Sequence, residues 1–171
     1  MEKQNVTPFF LAKNGAFPNN PNLPLLLYRQ VLSGSDYPEK EFKEAFRKND
    51  WGGTWVNGVF AYHHYHSTAH EALGVLAGTA TLIFGGPGGK EIAVRAGDMV
   101  VLPAGTAHCR KKSSSDFKVI GAYPKGQEEY DLCTEDDDPD DKKENIRRTA
   151  LPTADPLAGI DGPLGQQWKP Q

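Results

Sequence analysis

Residues 58–78 read GVFAYHHYHSTAHEALGVLAG, and the placement of their histidines decides how the chain is read. His64 and His66 are two apart, so on a strand both rings leave the same face. Glu71 follows the STAH segment and opens a second apolar run, EALGVLAG. If STAH turns the chain, Glu71 returns to the face that carries the two imidazoles. Two neutral imidazoles and a carboxylate converging on one point suit a divalent first-row transition metal. Downstream, GDMVVLPAGTAH (97–108) ends in His108, just past Pro103 and Gly105, and offers a further ligand.

Outward from this stretch the apolar runs stay short. TWVNGVFAYHHYH, EALGVLAG, ATLIFGG, KEIAVRA, DMVVLPA, AHCRKK and FKVIGAYP are separated by Gly-rich turns such as GGPGGK (85–90). Short strands at regular spacing with turn signals between them fit a β-sandwich or barrel. Towards the N-terminus, LPLLLYRQV (23–31) reads as a strand, and residues 1–23 as mostly loop. A short helix follows over 38–48, with Asp36 as its cap, Pro38 in its first turn, and Phe42, Ala45 and Phe46 on one face.

From Gln127 the character changes. EDDDPDDKKENIRR reads as a solvated charge run closing in one short helix over 140–148, because the Asp spacing and turn Gly of a calcium loop are missing. Leu151, Leu157, Ile160, Leu164 and Trp168 make the tail an extended arm that wraps the barrel. The organisation expected is one domain over 1–171: a core barrel at about 52–124, an N-terminal strand and helix at 23–50, and a C-terminal arm at 127–171.

A net charge of −3 and a pI near 5.9 give no basic footprint for nucleic acid. No apolar run approaches the roughly 20 residues of a membrane span, and Pro8 interrupts the only candidate leader. Two cysteines, Cys109 and Cys133, suit reduced thiols better than a disulfide framework. A cytoplasmic location is therefore expected.

The two histidine segments resemble the motifs of the cupin superfamily. The first motif, Gly-x5-His-x-His-x4-Glu-x6-Gly, is matched by Gly58, His64, His66, Glu71 and Gly78. The second, Gly-x5-Pro-x-Gly-x2-His-x3-Asn, is matched by Gly97, Pro103, Gly105 and His108, with Lys112 where the Asn is expected. The wider run WGGTWVNGVFAYHHYHSTAHEALG, with GAYPKGQ and DPLAGIDGPL, resembles the small single-domain YjlB-like cupins, a group without an assigned reaction. This resemblance implies an all-β chain folded as a double-stranded β-helix jelly roll. It also implies one divalent metal (Fe, Mn, Ni, Zn or Cu) held by His64, His66, Glu71 and His108, with Glu71 the weakest ligand.

Strand parity assigns the neighbours. His63 points away from the ligand face, and His70 is a loop or second-layer residue. Cys109 is expected to be buried and inert, and Arg95 to lie on the solvent face beside Ile92 and Val94. Gly58, Gly78, Gly97 and Gly105 read as turn positions with unusual backbone angles. Phe60 and Tyr62 share the parity of His64, so both should point into the barrel. Tyr62 is then either a phenol beside the metal, with Glu71 a possible acid/base group, or one more core aromatic. Tyr123 and Trp55 are plausible rim residues.

Two functions remain open. One is a metal-dependent enzyme of the dioxygenase, decarboxylase or isomerase type acting on a small polar metabolite. The other is a small-ligand-binding or storage protein without turnover. Neither a nucleic acid nor a membrane is expected as partner. A homodimer is expected, its contact including residues 23–31 as an apolar edge strand and the outer face that carries His63 and Tyr65.

Overall fold

The computed structural model describes residues 5–170. Nine strands alternate with tight turns: β1 (Val6–Phe9), β2 (Leu25–Tyr28), β3 (Trp51–Asn57), β4 (Glu71–Ala77), β5 (Thr79–Phe84), β6 (Lys90–Arg95), β7 (Met99–Leu102), β8 (His108–Ser113) and β9 (Lys118–Pro124). Helix α1 (Pro38–Lys48) precedes β3, while α2 (Pro139–Arg148) and α3 (Pro163–Gln167) follow the last strand. The strands form a six-stranded antiparallel sheet, β1-β2-β7-β4-β9-β3, and a three-stranded sheet, β6-β5-β8. The architecture is a double-stranded β-helix with short helices, as expected.

Alternation along the strands builds two apolar layers. Leu73 and Val75 of β4, Val119 of β9 and Leu25 and Leu27 of β2 face the smaller sheet, where Leu82, Phe84, Ile92 and Val94 complete an inner core. The intervening residues Ala72, Ile120, Ala122, Leu26 and Tyr28 face the other way, against Phe42 and Phe46 of α1 and Leu164 and Trp168 of the tail. The large sheet is therefore buried on both faces, which is why β2, β4 and β7 read as continuous apolar runs rather than alternating ones.

Several expectations need correction. Within residues 1–23, β1 is a four-residue edge strand that the sequence did not indicate, and residues 1–4 lie outside the described residues. Pro8 suits an edge, where a missing N–H costs no ladder bond. Strand β2 is no exposed edge, because it pairs with β1 on one side and β7 on the other and is buried throughout. Tyr65 is buried too, and Phe17 packs against both Tyr65 and His63. Of the surface expected to make a dimer contact, residues 24–28 and Tyr65 are thus covered by the chain itself, while Arg29 is exposed and His63 half-buried. Helix α1 has the expected bounds, but its cap position is Tyr37 with no side-chain cap bond, not Asp36. Besides the expected helix α2, the arm carries the short helix α3. The carboxylate of Asp138 caps α2 by accepting the Asp140 N–H at 2.9 Å.

The arm is pinned by polar groups that sequence periodicity does not reveal. Buried Asp155 accepts the Tyr28 hydroxyl at 2.6 Å and the backbone N–H groups of Leu157, Ala158 and Leu164. The Trp168 and Trp51 indoles donate to the carbonyls of Pro24 and Ala154. Both cysteines are buried, unpaired thiols, and Arg95 is exposed on β6. Among the described residues no helix is long and apolar enough to cross a membrane.

Candidate metal centre

Glu71 is the first residue of β4 and shares its inward face with Leu73 and Val75. It pairs with Leu102 at the end of β7, so its carboxylate enters one end of the barrel, where it is 2% exposed. His108 opens β8 opposite Phe84 of β5. The histidine pair is not on a regular strand: β3 stops at Asn57, and only isolated bridges hold His64 and Tyr65. His64 and His108 exchange both backbone hydrogen bonds, at 3.2 and 2.9 Å, which sets their rings side by side with centroids 4.0 Å apart. The carbonyl of His66 accepts the Gly105 N–H at 2.8 Å. Gly105 has φ +93°, and a Cβ there would lie 2.7 Å from Ile146 and 2.8 Å from the Asn19 carbonyl, so the second motif needs glycine at this turn. Gly58, by contrast, does not occupy the left-handed region expected for it.

His66, Glu71 and His108 are buried, and one ligand atom of each lies within 4.8 Å of the others. The His66 Nε2 is 3.4 Å from Glu71 Oε2, and the His108 Nε2 is 3.2 Å from Oε1. Each ring has its other nitrogen on a backbone carbonyl: His66 Nδ1 on Asp131 at 2.5 Å, His108 Nδ1 on Thr106 at 3.0 Å. A carbonyl only accepts, so Nδ1 carries a proton in both rings, and each ring in its neutral form offers an Nε2 lone pair. Two lone pairs then face a carboxylate whose Oε1 is buried without a hydrogen-bond partner. Acceptor facing acceptor in a buried pocket calls for a cation between them, and the donor set suits a divalent transition metal. The residues present therefore fit a metal ion.

Until a cation enters, a proton on His66 Nε2 takes its place opposite the carboxylate. Burial alone would raise the Glu71 carboxyl, but the charge of His66 and the contacts to both histidines hold it well below the usual carboxylate range. Burial disfavours the His66 imidazolium, yet Glu71 and the Asp131 carbonyl outweigh it and lift its pKa. His64 is pushed down to about 3, first by burial and then by His108 beside it. It is buried with its Nδ1 on the Tyr62 carbonyl at 3.0 Å, adjacent to the trio but outside the set within 4.8 Å.

The other residues singled out from the sequence fall as follows. His63 packs on Phe17, outside the ligand set. His70 is fully buried, accepts the Ala104 N–H through Nδ1 at 2.8 Å and lies against Trp168, so it braces the Pro103–Gly105 turn from outside. Its pKa falls to about 4 through burial. Cys109 is buried and Lys112 exposed, both on β8. Phe60 and Tyr62 do not point into the barrel: they are 49% and 46% exposed and stacked on each other, with centroids 4.9 Å apart and Phe60 edge-on to His64. Period-two parity fails there because the strand has already ended.

Two further contributors complete the site, of which Asp131 escaped sequence reading. Tyr123, expected at the rim, is buried beside the centre and donates its hydroxyl to Glu71 Oε2 at 2.6 Å while accepting the Trp55 indole N–H at 2.8 Å. Asp131 holds His66 through its carbonyl, and its carboxylate accepts the Ser67 N–H at 2.7 Å and the Ser67 and Thr68 hydroxyls. Nothing in the local sequence DLC signals this role.

A cavity of 340 Å³ opens onto the trio, walled by Trp55, Phe60, Leu73, Tyr123, Tyr130 and Leu132. A larger one of 830 Å³ lies between residues 18–23 and α2, but its walls offer no histidine, cysteine or carboxylate. The chemistry therefore belongs to the smaller cavity.

Comparison with known proteins gives concordant results. Residues 55–120 match the cupin domain family. The uncharacterized protein YjlB of Bacillus subtilis strain 168 is 39% identical over 171 residues, which cover 98% of this chain and 99% of that protein. A conserved protein with a double-stranded β-helix domain from Klebsiella pneumoniae aligns with a TM-score of 0.38 at 10% identity, over 78% of this chain and 80% of that one. Acireductone dioxygenase from Bacillus anthracis, with a cadmium ion in its active centre, aligns with a TM-score of 0.36 at 17% identity, over 50% of this chain and 57% of that one.

Proposed function

Since this chain belongs to the cupin family, with YjlB of Bacillus subtilis as a full-length relative, we propose that it is a metal-dependent enzyme acting on a small chelating metabolite. The observation that carries the reading is the buried Glu71 carboxylate facing two imidazole lone pairs at the foot of a cavity. His66, Glu71 and His108 would hold the ion, with His64 as the fourth ligand from the adjoining bridge. Fe, Mn, Ni, Zn and Cu all accept this donor set, and a bound ion would supply Lewis-acid polarisation and a template for chelating oxygens.

The chain's own residues do the rest. Tyr123 and Asp131 fix the orientation of Glu71 and His66, so the ligands are set before an ion arrives. The aromatic walls keep water away from the reacting end. Glu71 Oε1 would act as an acid/base atom only when released from the ion, because the Tyr123 hydroxyl already occupies Oε2. Tyr62 stands outside the barrel, its ring 5.6 Å from that of His64, and would act only on a ligand reaching the mouth. Dioxygenation, decarboxylation and isomerisation are the reaction classes in view.

A second reading, ligand binding without turnover, is favoured by one feature. Apart from Glu71 and the histidines, the cavity walls offer only tyrosines as proton-transfer groups. Incubating metal-loaded protein with small acids and phenols, with and without oxygen, separates the two. Oxygen uptake or product formation is expected; a tightly held but unchanged compound would establish binding alone.

A further inference from the structure

The walls of the cavity specify more than its size. A doubly charged cation with neutral histidines and one carboxylate, Glu71, leaves a single positive charge at the centre. No lysine or arginine lines the cavity. Arg110, on the neighbouring strand, turns its Nε to the Val59 carbonyl at 3.1 Å. A ligand bringing one negative charge is thus neutralised, whereas a second negative charge would be buried among apolar walls without a partner. The walls are also flat and aromatic. Tyr123 and Tyr130 stack with centroids 4.1 Å apart, Tyr130 packs on His66, and the Trp55 indole is fixed by its bond to Tyr123. At the mouth Leu132 and Phe60 are half exposed, which leaves apolar surface for a ligand to cover.

Resting on the metal-centre reading above, we propose that the site takes a flat, singly charged O,O-chelator with an aromatic or apolar body, and disfavours compact dianions such as small dicarboxylates. This narrows the small polar metabolite expected from the sequence. The chelating oxygens meet the metal, while the body lies against the aromatic wall made by Trp55, Tyr123 and Tyr130.

The test uses full-length protein loaded with Zn²⁺, its metal content measured first, and titration calorimetry with three probes. Tropolone is flat, aromatic and singly charged; acetohydroxamate is singly charged without a ring; oxalate is a compact dianion. Each affinity is taken relative to that for the free ion. Tropolone is expected to exceed acetohydroxamate by roughly tenfold and oxalate by more. Tyr130→Ala should lower tropolone binding alone. Leu132→Lys, which places a cation at the half-exposed mouth, should strengthen oxalate by about tenfold without changing metal content. Protein that retains Zn²⁺ yet binds oxalate as well as tropolone overturns this inference and leaves the metal reading standing. Protein that retains no Zn²⁺ overturns both.

Discussion

Glu71 shows how a single side chain collects the physics of the site. Its carboxylate is buried, receives one hydrogen bond from Tyr123 on Oε2, and faces imidazole lone pairs with Oε1 unpartnered. Tyr123→Phe should leave Oε2 and the Trp55 indole N–H without partners. A loss of about 1–3 kcal/mol in chelator-treated protein is expected from urea unfolding, the cost of stranding buried polar groups. No loss would mean that water replaces the hydroxyl and that Glu71 is less enclosed than its burial indicates. That His66, Glu71 and His108 converge was legible in the sequence because fixed spacing becomes fixed pairing: His108 bridges His64, and Gly105 donates to His66. Asp131 was not legible, since it reaches His66 across 65 residues from an irregular segment with no period of its own. Phe60 and Tyr62 were misplaced for a related reason: alternation holds only while a strand lasts, and β3 ends at Asn57.

Among the elements, the β3–β9 pair connects packing to the site. Trp55 lies opposite Gly121, and a Cβ at Gly121 would come within 2.4 Å of the indole. Gly121→Ala should therefore push Trp55 off Tyr123, at a cost of about 1–3 kcal/mol for overpacking, and weaken ligand binding with metal content unchanged. Wild-type stability and affinity in this variant would show that the indole moves freely. The turn before β7 offers a pH test. Asp98 is buried and accepts the Gln30 and Arg95 N–H groups, the Gln30 amide and the Arg29 guanidinium. Burial alone would raise its carboxyl, but these bonds hold it below the usual carboxylate range. A depressed carboxyl stabilises the fold above its unfolded pKa, near ~3.9, and the contribution disappears as pH falls through the lower folded value. Urea midpoints should thus fall more steeply below about pH 4 in wild type than in Asp98→Asn. Parallel profiles would place the acid sensitivity elsewhere. Sequence pattern gave α1, α2 and most barrel strands, because apolar runs, capping residues and Gly-rich turns mark them off. It missed β1 and α3, short segments that carry Pro and no continuous apolar run.

For the whole molecule, the apolar character of residues 23–31 had two physical outlets, another chain or this chain's own layers. Within one chain, β1 and β7 flank β2, and the C-terminal arm lies on its outer face through Tyr28–Asp155 and Trp168–Pro24. An apolar run says that a strand is buried but not by what, so assembly was the least legible level. The convergence of His66, Glu71 and His108 was more legible, because the fixed motif spacings bring β4, β8 and the bridged histidine segment to the same barrel end. The central claim is that these three residues hold one divalent metal ion there. The most direct measurement is the number of divalent ions retained per chain, by elemental analysis of protein purified without chelators, in wild type, His66→Ala, His108→Ala and His63→Ala. One ion per chain is expected in wild type and nearly so in His63→Ala, with none in the other two. Wild-type protein without metal, or equal loss from His63→Ala, would contradict the assignment.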